Sequence, residues 1–154
     1  MHLHRLTRVL PYAPDELFAL VGDVERYPEF VPWVTSMRTW NLRRNGEIAL
    51  NDAEATVGFS FLKERFSTQV SRDPVRKIVR VDLISGPFKK LVNEWTFTEH
   101  PEGTEVGFMI DFAFKSRFLD AMLEANFDRA VNKLIGCFEK RAEALYGVRS
   151  SPVP

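Results

Sequence analysis

The segment from Ser116 to Tyr146, SRFLDAMLEANFDRAVNKLIGCFEKRAEALY, constrains the fold more than any other part of the chain. Leu119, Leu123, Phe127, Ala130, Val131, Leu134, Phe138, Ala142 and Leu145 recur at helical spacing along one stripe, while Asp120, Glu124, Asp128, Lys140 and Glu143 lie mostly off it. Ser116 reads as the N-cap and Gly147 as the residue just past the C-terminus. At 1.5 Å per residue such a helix runs about 45 Å. It therefore needs an apolar partner as wide as a whole sheet. Gly136, in its interior, costs about 1 kcal/mol relative to alanine and is expected to permit a bend or a close backbone approach.

The upstream chain supplies that partner. From 35 to 114 it breaks into short extended runs separated by turn signals at Asn45-Gly46, Asp73-Pro74, Gly86-Pro87 and Pro101-Glu102-Gly103. The spacing predicts six antiparallel strands at about 35–44, 47–57, 59–72, 77–85, 91–100 and 103–114, after a first strand over 2–10. Val106, Phe108, Ile110, Phe112 and Phe114 share one face of the last strand, and Leu91, Asn93, Trp95 and Phe97 one face of the strand before it. A one-sided sheet needs a lid, and the amphipathic helix is that lid.

Between the first two strands, Pro14-Asp15-Glu16 opens a short helix through about Val21. Proline in the first turn has no donor to lose, and the acids meet the positive end of the dipole. Leu17, Phe18, Leu20 and Val21 form its buried side. VERYPEFVPWV (24–34) follows, with Tyr27, Phe30, Val31 and Trp33 punctuated by Pro28 and Pro32. Each proline fixes its own φ and pushes the preceding residue toward extended geometry, so the stretch reads as a stiff loop carrying apolar side chains.

Composition narrows the function classes. The 154 residues suit one domain, expected over 1–147 with a frayed, disordered tail over 148–154. Lys+Arg and Asp+Glu both number 21, which argues against a protein held to DNA or to anionic lipid by global charge, while leaving room for a local basic patch. No apolar run reaches the length of a membrane span, and MHLHRLTRVL lacks the core of a signal peptide, so a soluble cytoplasmic protein is expected. Cys137 is the single cysteine and is expected to pack as a small apolar group. The excess is aromatic, with 13 Phe and 3 Trp against 3 Tyr.

The resulting class is α+β: a curved antiparallel sheet of about seven strands wrapped around a long C-terminal helix. Surfaces of different curvature leave a cavity between them, and one lined by Phe and Trp favours apolar guests.

The order of elements, with VERYPEFVPWV near the start, GPFKKLVNEWTF at 86–97 and ANFDRAVNKLIGCFEKRA in the last helix, resembles the coenzyme Q-binding proteins of the START-like, polyketide cyclase/dehydrase superfamily. The resemblance covers roughly residues 3–146. It implies a helix-grip fold, a hydrophobic tunnel between sheet and helix, and ubiquinone or a similar polyprenyl lipid as ligand, in support of respiration, with no cofactor. The same branch holds bacterial proteins described as ribosome-association toxins.

Candidate ligand-binding residues divide by position. Tyr27, Phe30 and Trp33 serve either as a small core beneath the proline loop or as a portal, where the amphipathic Trp33 ring suits an interface. Phe88, set in a Gly-Pro turn, would close the cavity opposite Trp33, and with the Trp33 loop would touch a membrane transiently during transfer; Lys89 and Lys90 would meet lipid phosphates or simply remain solvated. Trp95, Phe97, Phe108, Ile110 and Phe112 are core residues that can also line a pocket, as are Phe127, Val131 and Leu134 on the helix. Asn93, among apolar neighbours, either bonds a quinone carbonyl or makes a structural hydrogen bond.

Catalytic and metal-binding residues are not suggested: His2, His4 and His100 sit near a terminus or a turn, and no HxxxH, HExxH, CxxC, P-loop or GxSxG pattern is present. Carboxylates such as Asp52, Glu54, Glu64 and Asp111 are scattered over strands. A non-catalytic lipid carrier is the leading expectation. A ribosome-interacting regulator would use a basic patch at Arg72, Arg76, Lys77 and Arg80 or near Lys89, and a cyclase-type enzyme would need a buried ionisable group in the cavity.

Overall fold

The computed structural model describes residues 2–59 and 62–149. Strand β1 (His2–Leu10) leads into helix α1 (Pro14–Gly22) and a 3-10 helix (Val24–Glu29). Six strands follow, β2 (Val34–Asn45), β3 (Ile48–Phe59), β4 (Leu62–Asp73), β5 (Ile78–Ser85), β6 (Phe88–His100) and β7 (Gly103–Phe114), before helix α2 (Arg117–Tyr146). The strands form one antiparallel sheet in the order β1-β7-β6-β5-β4-β3-β2, so β1 closes the far side of the hairpin run and both β1 and β2 are edges. The alternation and the long amphipathic segment imply a one-sided antiparallel sheet lidded by a C-terminal helix, and the arrangement is the helix-grip fold that the family resemblance implies. Of the expected tail, residues 150–154 lie outside the described residues, as do residues 60 and 61 of the strand expected over 59–72.

Local chemistry accounts for the boundaries. The Ser116 hydroxyl accepts from Leu119 N at 3.3 Å, and Gly147, at φ 88°, gives its own N–H to Glu143 O at 2.9 Å. Arg72 on β4 crosses to the end of α1, where its guanidinium donates to Gly22 O at 3.2 Å and to Asn51 Oδ1. A cation at the last carbonyls of a helix complements the dipole there.

Four details differ from the sequence reading. VERYPE is a 3-10 helix instead of an irregular loop: Arg26 N reaches Asp23 O, Phe30 N and Val31 N both reach Tyr27 O, and Pro28 lies inside the short helix, where it supplies no backbone donor. Strand β6 starts at Phe88, not 91, because Phe88 pairs with Phe114 across a bulge immediately after the Gly-Pro turn. On α2 the fully buried stripe is Val131, Ile135, Phe138 and Ala142; Ile135 belongs to it, and Leu145, half exposed, does not. In the last turn Tyr146 takes the inward place, its hydroxyl donating to Glu16 O at 2.9 Å.

Gly136 is the fourth, since a Cβ built there meets nothing within 4 Å and α2 runs through it as one helix. It therefore brings the entropic cost of glycine without a packing reason. Gly136→Ala is expected to raise stability by about 1 kcal/mol, or roughly 2–4 °C in Tm for a domain of this size, read by thermal unfolding; a drop would reveal a close approach.

Candidate functional site

The inward face of the sheet is not one continuous core. The larger buried cluster joins Leu17, Leu20 and Val21 of α1 to Val70, Val79, Trp95, Phe97 and Phe108 of the sheet and to Val131, Ile135, Phe138 and Ala142 of α2. Phe138 is its hub, edge-on to Tyr27 (5.2 Å) and Phe30 (5.1 Å) and against Trp95 (4.8 Å). A smaller cluster, Leu91, Phe112 and Phe114, lies under the first turns of α2 with Phe66, Leu83, Phe88, Leu119 and Leu123 half-buried around it. Ile110 and Phe127 stand at the margins of both.

Between the clusters the sheet presents one cross-strand row: His4 on β1 faces Ile110 on β7, which faces Asn93 on β6, which faces Val81 on β5. These side chains share the inward face with Phe108, Trp95 and Val79 one row away. Val79 is fully shielded from solvent and Phe108 is 3% exposed, whereas Val81, Asn93 and Ile110 are only partly buried. Opposite them α2 offers Phe127 and Leu134, and the β2–β3 wing offers Met37 and Val57, all likewise half-buried. These half-buried side chains pack on the margin of the larger cluster, and the strip they form between α2 and the sheet, called the groove below, is less completely covered than the buried residues on either side.

The expected site residues fall into three groups. Ile110, Phe127 and Leu134 line the groove, with Asn93. Tyr27, Phe30, Trp95, Phe97, Phe108 and Val131 lie in the larger cluster; the Tyr27 hydroxyl donates to Val21 O and burial pushes its pKa well above the usual tyrosine range. Phe112 is in the smaller cluster, and Phe88, instead of standing alone at a turn, stacks on Phe114 (4.6 Å) and meets Phe66 edge-on (5.2 Å). Trp33 sits half-buried at the edge of the larger cluster, its carbonyl accepting from Gly58 N at 2.8 Å and its ring 6.0 Å from Lys133 Nζ.

Asn93 makes structural hydrogen bonds. Its Nδ2 donates to Met109 O at 2.8 Å and its Oδ1 accepts from the Trp95 indole at 3.0 Å, which leaves one amide hydrogen for the groove. Of the residues expected to form a basic patch, Lys77 pairs with Asp15 (3.0 Å), Arg80 with Asp82 (3.1 Å) and Glu94 (2.9 Å), and Arg72 holds α1, so the charge is divided among local partners. Arg76 and Lys89 are exposed. Lys90 reaches Asp111 at 2.6 Å.

Sequence reasoning missed the polar seam where β1 meets α2. His2 Nε2 lies 2.9 Å from Asp120 Oδ2, His4 Nδ1 3.2 Å from Asp128 Oδ1, and Arg8 binds Glu139 (2.8 Å) and Asn132 (3.1 Å). The even spacing of His2, His4 and Arg8 on a strand was the available signal. Asp120 Oδ1 also accepts from Phe114 N at 3.0 Å, and that bond, with the neighbouring His2, holds its carboxyl below the usual aspartate range. Among the described residues no group of three or more His, Cys, Asp or Glu is placed to hold a metal, and no helix is long and apolar enough to cross a membrane.

Residues 10–139 match the family model described as polyketide cyclase / dehydrase and lipid transport. The chain belongs to this family. Within the polyketide cyclase/dehydrase and lipid transport family, the fold is START-like. An 18 kDa protein of Caulobacter crescentus, solved in solution, is 58% identical and superposes with a TM-score of 0.82 over 96% of this chain and 100% of that one. A ribosome association toxin RatA of Rickettsia prowazekii is 36% identical over 89% of this chain and 93% of its own length. A mitochondrial coenzyme Q-binding protein COQ10 homolog B of Xenopus laevis is 26% identical over 96% of this chain and 60% of its own length.

Two measurements check the site's framework. Asn93→Leu leaves the buried Trp95 indole without an acceptor and is expected to cost about 1–3 kcal/mol in denaturant unfolding; an unchanged midpoint would contradict the assignment. Asp120 has its folded-state pKa depressed, so its contribution is present above the unfolded value and lost as pH falls below about 4. Asp120→Asn should therefore flatten the acid limb of the stability profile, and an unchanged limb would rule the contact out.

Proposed function

We propose that the protein binds an isoprenoid lipid of the ubiquinone type in the groove between α2 and the sheet, as a carrier without a catalytic step. The observation that carries this reading is the half-open row Val81, Asn93 and Ile110 beneath Phe127 and Leu134, set between two sealed clusters. Burial contributes about 0.8 kcal/mol per CH₂ group, so sheltering one or two isoprene units supplies several kcal/mol before ordering costs. Such a groove recognises a tail by area, not by length, and a long tail would protrude. The family's description includes lipid transport, and the Xenopus relative is named for coenzyme Q binding. Beneath Phe127 and Leu134 the row is apolar apart from the amide of Asn93, and its one titratable side chain, His4, stands at the far end beside Asp128.

Organic extraction of the purified protein followed by mass spectrometry tests the reading, together with uptake of a two-unit ubiquinone. Leu134→Glu puts a charge in the groove at a half-buried helical position. It is expected to weaken ubiquinone binding by about tenfold or more while the protein stays folded. Wild-type protein that neither retains nor takes up an isoprenoid lipid would overturn the proposal.

A second reading, association with the ribosome, is favoured by the higher identity of the Rickettsia toxin, 36% against 26% for the Xenopus protein. The exposed Arg76 and Lys89 are the cations of the anticipated patch left for such a contact. Cosedimentation with ribosomal subunits at physiological salt, lost in Arg76→Glu/Lys89→Glu, would support it; no cosedimentation of the wild type would remove it.

A further inference from the structure

The groove row has a polar end. It terminates at His4, and on that side β1 and α2 part to form a cleft of about 520 Å³ lined by His2, Leu3, His4, Glu124, Asn126 and Arg129 with the intervening helix residues. Phe127 lines this cleft and also packs on Phe112 at 4.8 Å, so one ring forms the wall between cleft and groove. His4 meets that ring edge-on at 5.4 Å, and His2 lies against Phe112 at 4.9 Å. The His2 side chain is 9% exposed, and its Nε2 makes no aligned hydrogen bond although a carboxylate oxygen of Asp120 is near. Asp128 sits at Nδ1 of His4 and leaves Nε2 for another partner.

We propose that this cleft is the head-group subsite of the lipid carrier: a compact ring head bearing hydroxyl or carbonyl oxygens binds against His4 and His2, and its tail runs past Phe127 along Ile110 and Val81. The proposal rests on the lipid-binding reading and assigns an orientation within it. Imidazoles suit such a head because each ring nitrogen either donates to a carbonyl or accepts from a hydroxyl, according to what the other nitrogen holds. A second surface cleft, of about 470 Å³ beside the 3-10 helix, is lined by Gly22 to Glu25, Thr39 to Leu42, Asn51 and Arg72, and none of these is a groove residue named above. An amphiphile with its tail in the groove thus reaches polar groups at the β1 side.

The test titrates the full chain with three ligands: two-unit ubiquinone, the corresponding quinol, and farnesene, a hydrocarbon isoprenoid without a head. Backbone amide spectra and tryptophan quenching supply the readouts. The headed ligands are expected to shift the amides of His4 and Asn126, and farnesene to leave them in place. His4→Leu should weaken the tighter-binding headed ligand by about tenfold and leave farnesene unchanged, and His4→Gln should restore much of the loss. If farnesene and the headed ligands bind alike, or if His4→Leu weakens all three equally, the subsite is overturned while the groove stands. Headed ligands that shift Thr39 to Leu42 instead would place the head in the other cleft. Binding of none of the three overturns both.

Discussion

A straight rod laid in a curved trough touches it over only part of its length, and this mismatch organises the whole protein. Helix α2 is unbroken over Arg117–Tyr146, and the sheet it crosses has seven strands. Contact is tight where Phe138 locks into Tyr27, Phe30 and Trp95, and again where Phe112 and Phe114 meet the first turns. Between those two zones the helix can follow the sheet no further, and the row facing it remains half open. The aromatic excess of the sequence does two jobs accordingly: rings seal the two clusters, and the ring of Phe127 borders the space between them.

The proline-framed stretch at 24–34 belongs to the sealing side of this division. Its 3-10 turn aims Tyr27 and Phe30 at Phe138, while Arg72 fastens the preceding helix end to β4. The open side lies farther along α2, bounded by the histidine seam of β1. An edge strand carrying inward His2, His4 and Arg8 is unusual for a buried face, and each of these finds a carboxylate on α2. Polar contacts there hold the helix to the sheet edge.

Much of this was legible in the residues. Alternation in β6 and β7, turn chemistry at Asn45-Gly46 and Pro101-Glu102-Gly103, and the caps Ser116 and Gly147 specify the fold because each follows from local backbone rules. What escaped was set by distant partners. Strand β6 begins at Phe88 because Phe114 pairs with it, which the Gly-Pro signal concealed. Leu145 leaves the stripe and Ile135 joins it because the trough, not the helix, decides which residues are covered. Asn93 could not be read from its own position, since its partners are Met109 O and the Trp95 indole. Of the cations that read as a patch, Arg80 is engaged by Glu94 across the β5–β6 pair, Lys77 by Asp15 of α1 and Arg72 by the end of α1, partners distant in the sequence.

The most direct check of the account is where a bound isoprenoid touches the interior. Intermolecular NOEs between a short-tailed ubiquinone and methyl groups labelled throughout the protein should connect the tail to Val81, Ile110 and Leu134, and leave Val79 and Ile135 silent. Contacts confined to exposed side chains such as Leu42 or Val75, with the row beneath α2 untouched, would contradict the claim that the helix and sheet leave room for a guest.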